Sequence, residues 1–83
     1  SILPLLKIII DKGNKNSISD AGVAISLIKS AAQSAYMNVL INCKSLSNQT
    51  IASEIQKSIQ VIFNEVQKTT DLYLSIITSS LKS

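Results

Sequence analysis

The hydrophobic residues in the C-terminal part of the chain recur with the period of an α-helix. Between Ile51 and Leu81 the sequence contains neither Pro nor Gly. The large apolar residues lie mostly three or four positions apart, at Ile51, Ile55, Ile59, Ile62, Val66, Tyr73, Ile77 and Leu81. Because this spacing places them on one face of a helix, the pattern predicts a single long amphipathic helix over about residues 50–81.

A second helix is predicted over about residues 20–44. Apolar and small residues such as Ala24 and Ile28 recur there at helical spacing. Ser17 and Ser19 precede this segment, and a Ser side chain can accept a hydrogen bond from the free N–H groups of a first turn. The sequence therefore predicts that one of these two Ser residues caps the helix.

A short helix is predicted over about residues 3–11. Pro4 falls in its first turn, where the missing N–H group is not needed for an intrahelical hydrogen bond. Gly13 follows the helix, and a Gly in the left-handed conformation commonly ends one. The polar residues after Gly13 predict a short connection to the second helix.

These elements predict an all-α fold with a single helical domain over residues 1–83. The two long helices are separated only by the polar segment 45–49, so they are expected to form a long antiparallel hairpin. The short N-terminal helix is expected to pack on the open end of this hairpin. Additional apolar surface is supplied there by Val23, Leu27, Leu72, Leu74 and Ile76. Dimerisation is expected to complete the small bundle.

The other half of the hairpin, near its turn, carries more apolar side chains than two helices can bury. Full burial of a large apolar side chain contributes about 1.5–3 kcal/mol. Leaving several such side chains in water would therefore forfeit a free energy comparable with the whole stability of a small domain. A second copy of the chain, or another helical protein, is expected to cover them. The predicted contact surface consists of Tyr36, Met37, Leu40, Cys43, Val61 and Phe63.

The composition limits the classes of partner. At 83 residues, the chain is near the size at which a single core is barely sufficient. Hydrophobic residues make up 46% of it and aromatic residues only 4%, so the core must be mainly aliphatic. The net charge of +3 comes from Lys residues that are spread along the chain, with no Arg. Since a nucleic-acid surface would cluster basic residues and supply Arg or stacking aromatics, no nucleic-acid partner is predicted.

Few residues in the chain can carry catalytic chemistry. No His is present, so the usual general base and the usual transition-metal sites are missing. The carboxylates are Asp11, Asp20, Glu54, Glu65 and Asp71. They are too scattered along the sequence for an obvious acid–base pair or a calcium loop. The sequence therefore predicts no catalytic residues, no cofactor, no metal and no enzymatic activity.

Two single residues allow alternative interpretations. Cys43 is the only Cys, so it either forms an intermolecular disulfide or serves as a small buried apolar side chain, and the second interpretation is favoured. Asn48 begins an Asn-Gln-Thr sequence that matches the acceptor site for N-glycosylation. An ordinary capping turn at Asn48 is favoured over glycosylation, because the motif is short.

The function predicted from these features is a non-enzymatic interaction or structural module that acts by self-association or partner binding on an exposed apolar helix face. The alternative is a membrane-active or lipid-carrying secreted protein, in which the same side chains meet a hydrophobic ligand, a lipid or a membrane surface. A membrane-spanning helix is not predicted, because the apolar stretches are short or interrupted by polar residues. The chain begins at Ser1 rather than Met, which fits a processed secretory chain and a trimmed chain equally well. The compartment is therefore left open, with secretion slightly favoured.

Overall fold

The computed structural model describes residues 3–83, which form three α-helices and no strand. Helix α1 spans Leu3–Lys12, α2 spans Lys15–Lys44 and α3 spans Gln49–Lys82. Helices α2 and α3 pack against each other as a hairpin, and α1 contacts both. The prediction of an all-α hairpin with a short N-terminal helix is confirmed, whereas its completion by dimerisation stays a prediction.

Asn side chains cap both long helices. The Asn14 side-chain oxygen accepts a hydrogen bond from the N–H group of Ser17 at 2.9 Å, so α2 begins at Lys15. The predicted cap at Ser17 or Ser19 is therefore wrong: the earlier Asn satisfies the free donors first, and the polar residues after it continue the helix. Asn48 caps α3 in the same way, with the N–H group of Ile51 as donor at 3.1 Å.

Gly13 ends α1 by close approach rather than by a left-handed conformation. Its φ angle is not positive, so the predicted left-handed Gly is wrong. The Gly13 N–H group donates to the Ile9 carbonyl oxygen at 2.6 Å. A Cβ atom at this position would overlap that same oxygen. Gly is therefore required here because any side chain would collide with the preceding turn.

The buried core lies where α1 meets the open end of the hairpin. Leu6 of α1 packs with Ile18 and Ile25 of α2 and with Tyr73 and Ile77 of α3. All five side chains are buried. The predicted position of α1 is therefore correct, because this short helix closes the early half of α2 against the late half of α3.

Lysine side chains join α2 to α3 outside the core. Lys29 Nζ lies 2.6 Å from an oxygen of Asp71, and both groups are partly exposed, so this ion pair contributes only about 0–1 kcal/mol. Lys15 donates to the carbonyl oxygens of Ser80 and Ser83, where a cation also interacts favourably with the C-terminal end of the helix dipole. These contacts help to fix the register in which α2 and α3 pack, but they add little to the free energy of unfolding.

Helix α1 does not cover all the apolar surface that was assigned to it. Leu74 packs against the core and Ile76 is half-buried. Val23, Leu27 and Leu72 are each more than half exposed, so the prediction that α1 covers this surface is wrong for these three residues. The reason is geometric: ten residues of helix extend only about 15 Å, and Leu6 is the α1 residue that is buried against α2 and α3. Apolar surface consequently remains open on both halves of the hairpin.

The chain has the dimensions of an open hairpin rather than a closed globule. Its radius of gyration is 16.7 Å, and its extents are 53 × 18 × 16 Å, whereas a compact domain of this length would have a radius of about 12 Å. Its accessible surface of 5934 Å² exceeds the roughly 4,800 Å² expected for a folded monomer of this mass. None of the helices within residues 3–83 combines the length and the apolar character needed to cross a membrane.

We predict that Gly22→Val destabilises the hairpin. A Cβ atom built on Gly22 lies 3.2 Å from Ile77 Cγ2, and the branched methyl groups of Val would extend further into this contact. Overpacking of this kind costs about 1–3 kcal/mol, which chemical denaturation followed by circular dichroism can measure. Ser26→Val, one turn further along at an exposed position, is the matched control and should change the free energy of unfolding much less. Equal losses from the two variants would contradict the close packing at Gly22.

Candidate functional site

Three open cavities lie between α2 and α3 in residues 3–83, and two of them share a pattern of lining residues. The first, here called the proximal cavity, encloses about 310 Å³. The second, the distal cavity, lies nearer the hairpin turn and encloses about 400 Å³. The proximal cavity is lined by Ile25, Ile28, Glu65, Val66, Thr69, Thr70 and Tyr73. The distal cavity is lined by Val39, Glu54, Ile55, Ser58, Ile59 and Ile62.

The α3 residues of the two cavities correspond at a spacing of eleven positions. Each cavity takes a Glu from α3 followed directly by a β-branched apolar residue, and a hydroxyl-bearing residue one turn later. Eleven residues are close to three full helical turns, so equivalent positions face the same way. The corresponding pairs are Glu54 with Glu65, Ile55 with Val66, Ser58 with Thr69, and Ile62 with Tyr73. One face of α3 therefore repeats the same chemistry in both cavities.

The proximal cavity has the more rigid walls. Ile25 and Tyr73 belong to the buried core, and Tyr73 is only 7% exposed. The Thr70 hydroxyl is held by the carbonyl oxygens of Val66 at 2.9 Å and Gln67 at 3.1 Å. In the distal cavity, by contrast, the side chains of both Ile55 and Ile62 are exposed to solvent. The proximal cavity therefore has three buried wall residues, Ile25, Thr70 and Tyr73, whereas the distal cavity has none.

Polar groups of three kinds border the apolar walls of the proximal cavity. Glu65 supplies a carboxylate from an exposed position. Thr69 supplies a hydroxyl, and the Tyr73 hydroxyl forms no hydrogen bond within residues 3–83. Thr70, by contrast, already uses its hydroxyl on the α3 backbone. The cavity wall is therefore almost wholly apolar, and Glu65, Thr69 and Tyr73 are the lining residues that carry a carboxylate or a hydroxyl group not bonded to the α3 backbone.

The predicted contact surface is divided by the structure. Tyr36 and Phe63 stack within the hairpin, with ring centroids 4.5 Å apart and an angle of 8° between the rings. The Tyr36 hydroxyl donates to the side-chain oxygen of Gln60. Both rings and Leu40 are half-buried, while Met37 and Val61 are more than half exposed. A contact role for this surface stays a prediction, and Met37 and Val61 are the members that a partner would meet first.

Cys43 and Asn48 are both used within the chain. Cys43 is 3% exposed with a free thiol, which fits the interpretation of a small buried apolar side chain. An intermolecular disulfide would require this thiol to leave its packing. The Asn48 side chain accepts the capping hydrogen bond of α3, which is the capping turn favoured from the sequence. Glycosylation of Asn48 stays a prediction.

Sequence reasoning did not identify the proximal cavity. It assigned Glu65 to the solvated face of α3 and Tyr73 to the core, and these assignments separated two side chains that the structure places in one cavity. The available signal was the recurrence of Glu, an apolar residue and a hydroxyl after eleven positions. That recurrence places a carboxylate and a hydroxyl group beside the apolar stripe in both halves of α3.

Comparison with known proteins identifies similarity to enzymes. Residues 1–61 match the family model described as formiminotransferase-cyclodeaminase. A relative, the methenyltetrahydrofolate cyclohydrolase of Methylorubrum extorquens, is 38% identical over 64 residues, which cover 77% of this chain. The match covers 31% of the relative, so the chain spans less than a third of that protein's length. No solved structure matches the chain.

These matches correct the functional predictions made from the sequence. The predictions of a non-enzymatic interaction or structural module, and of a secreted carrier of lipid or another hydrophobic ligand, are both wrong, because the family and the relative are enzymes of folate metabolism. The error has a chemical cause. The absence of His removes the commonest general base, but a carboxylate beside an apolar wall is also a candidate for acid–base work.

We predict that the Tyr73 hydroxyl is dispensable for folding. Because it has no hydrogen-bond partner within residues 3–83, Tyr73→Phe should change the free energy of unfolding by no more than about 0.5 kcal/mol. Tyr73→Ala should cost about 3–5 kcal/mol, because it removes a buried ring from the core. Urea denaturation of the two variants measures both effects. A large loss of stability in Tyr73→Phe would show that the hydroxyl is structural rather than available to a ligand.

Proposed function

Because this chain belongs to the formiminotransferase-cyclodeaminase family, we propose that it forms part of an enzyme that hydrolyses methenyltetrahydrofolate. The observation that carries the proposal is the similarity to the cyclohydrolase of Methylorubrum extorquens, which extends over most of this chain. The residue chemistry of the proximal cavity supports it. The chain spans less than a third of that relative, so the activity is proposed for an enzyme of which this chain forms part.

The proposed reaction is the opening of a cationic ring by water. In methenyltetrahydrofolate, a single carbon joins two nitrogen atoms that share one positive charge. Water adds to this carbon, one carbon–nitrogen bond breaks, and the carbon remains on the other nitrogen as a formyl group. One proton is released, so the products are a neutral formyl group and a proton. A catalyst must therefore bind a planar cation and accept a proton from water.

The proximal cavity supplies groups suited to both tasks. Its apolar walls, Ile25, Ile28 and Val66, can hold a flat ring, and the Glu65 carboxylate can offset the positive charge and accept the proton. The Thr69 and Tyr73 hydroxyl groups can position the water or the ring nitrogens. At about 310 Å³, the cavity lies at the low end of the range for ligand sites. It therefore suits the fused rings of the folate rather than the entire molecule.

The polar groups of the proximal cavity are contributed by this chain's own α3. Ile25 and Ile28 fall within the segment that matches the family model, while Glu65, Thr69 and Tyr73 follow residue 61, where that match ends. The assignment of Glu65 therefore depends on the cavity and its chemistry rather than on the family match. This makes Glu65 the residue whose substitution tests the site most directly.

Self-association is the second part of the proposal. The chain folds, on this proposal, as one helical domain over residues 1–83 and associates with a second copy through its exposed apolar surface, which includes Met37 and Val61. The elongated shape supports this, because the accessible surface exceeds that of a compact monomer of this mass by about 1,100 Å². A partner of standard interface size covers about 800 Å² on each side.

We predict that Glu65→Gln lowers hydrolysis of methenyltetrahydrofolate by about a hundredfold or more, the usual contribution of a positioned general base. The amide keeps the size of the side chain but can neither accept the proton nor offset the positive charge. Loss of the near-ultraviolet absorbance of methenyltetrahydrofolate, measured with the full protein, follows the reaction. Glu54→Gln is the matched control, because Glu54 occupies the equivalent position in the distal cavity eleven residues earlier, and it should leave the rate within about twofold of the unmodified protein.

The binding of two folates separates the role of Glu65 from the function itself. Glu65→Gln should weaken binding of cationic methenyltetrahydrofolate much more than binding of 5-formyltetrahydrofolate, which lacks that positive charge. Equal weakening of both, or a larger loss in Glu54→Gln, would overturn the assignment of Glu65. A protein that neither binds nor hydrolyses methenyltetrahydrofolate would overturn the proposed function.

A further inference from the structure

The outer surface of α2 carries an exposed apolar stripe with heptad spacing. Its members are separated alternately by four and three residues, which keeps them on one side of the helix. The buried α2 residues Ile18, Ile25 and Cys43 lie on the opposite side. The stripe, here called the outer stripe, consists of Val23, Leu27, Ser30, Ser34, Met37 and Ile41. Its four large members are exposed: Val23 by 58%, Leu27 by 65%, Met37 by 57% and Ile41 by 64%.

The outer stripe has the same pattern in both directions. Val23 and Ile41, at its two ends, are branched at Cβ. Leu27 and Met37, the next members towards the centre, are not. The two small residues, Ser30 and Ser34, lie on either side of the centre. A surface with this property matches itself when rotated by 180°, which is the requirement for a two-fold, isologous interface between identical chains.

We propose that α2 docks antiparallel against α2 of a second copy through the outer stripe, with the two-fold axis near Ala32. In this arrangement Val23 packs on the partner's Ile41, and Leu27 packs on the partner's Met37. The small Ser side chains at the centre permit a close approach of the two helices. The inference rests on the self-association proposed above and names the surface that carries it.

The charges at the ends of the outer stripe select the antiparallel orientation. If the same spacing is continued by one position at each end, it reaches Asp20 before Val23 and Lys44 after Ile41. Antiparallel docking places Asp20 opposite the partner's Lys44 at both ends of the interface. A parallel arrangement would instead oppose Asp20 to the partner's Asp20 and Lys44 to the partner's Lys44. Like charges brought together in this way disfavour the parallel alternative.

The dimensions of the outer stripe suit a stable contact. From Val23 to Ile41 the stripe extends about 27 Å along α2, which is about five helical turns. The chain's surplus accessible surface of about 1,100 Å² is sufficient for the roughly 800 Å² that each partner contributes to a standard interface. A second copy is therefore an occupant that matches the outer stripe in shape, charge and area.

Disulfide trapping tests the orientation directly. In a Cys43→Ala background, chains carrying Ser30→Cys are mixed with chains carrying Ser34→Cys, because antiparallel docking brings these two positions together. The mixed disulfide should form at least tenfold faster than the disulfide within either population alone. Faster linkage within the Ser30→Cys population would indicate parallel docking and would overturn the proposal. A dimer by light scattering without any selective linkage would also overturn it, while leaving self-association in place.

Light scattering coupled to size-exclusion chromatography tests the surface. Leu27→Glu should weaken the dimer at least a hundredfold, because each interface loses two apolar contacts and gains two buried charges. Leu72→Glu is the matched control, since Leu72 of α3 is also more than half exposed and lies outside the outer stripe. Circular dichroism confirms that both variants remain helical. Equal weakening by the two variants, or a monomer in the unmodified protein, would overturn the proposal.

A charge exchange gives an independent measurement. Asp20→Lys should weaken the dimer severalfold, because it opposes two positive groups at each end of the interface. Adding Lys44→Asp to the same chain should restore the affinity, since each pair again combines opposite charges. Failure of the second substitution to restore the dimer would show that Asp20 and the partner's Lys44 do not face each other.

Discussion

Two helices packed side by side can bury only one face of each, and this constraint shapes the whole molecule. Where α1 is present, it covers part of the surface that α2 and α3 cannot bury against each other. Leu6 of α1 packs there with Ile25 and Tyr73. Beyond the reach of α1, Cys43 and Ala52 are buried near the turn, but many of the large apolar side chains there remain exposed. The cavities, the exposed apolar side chains and the elongated shape all follow from the same shortage of covering helix. The surface available for function is the surface that α1 does not reach.

The open groove divides according to the rigidity of its walls. Near α1, the proximal cavity borrows buried core residues as walls, so it can hold a ligand in a defined position. Near the hairpin turn, the distal cavity has exposed walls that a larger surface would have to cover. The repeat of eleven residues gives both cavities a carboxylate and a hydroxyl. Packing against α1 therefore distinguishes two places that the α3 sequence makes chemically similar.

Local chemistry was predictable wherever neighbouring residues decide it. The helical period of α3, the turn before Asn48 and the location of α1 all follow from spacing and short connections, because these depend on residues close in sequence. The cap of α2 was missed because two kinds of capping residue compete, and Asn14 comes first. Gly13 was assigned the wrong backbone conformation, since the clash with the Ile9 carbonyl is visible only in three dimensions.

The amino-acid sequence by itself determined the all-α class, the hairpin and the end at which α1 packs, because hydrophobic periodicity and loop length control these features. Only the tertiary structure decided that Glu65 and Tyr73 border one cavity and that Leu27 stays largely exposed beside a groove between α2 and α3. The physical reason is that exposure depends on which faces meet. An apolar stripe predicts that some surface will be covered, but the short reach of α1 decides which surface remains open.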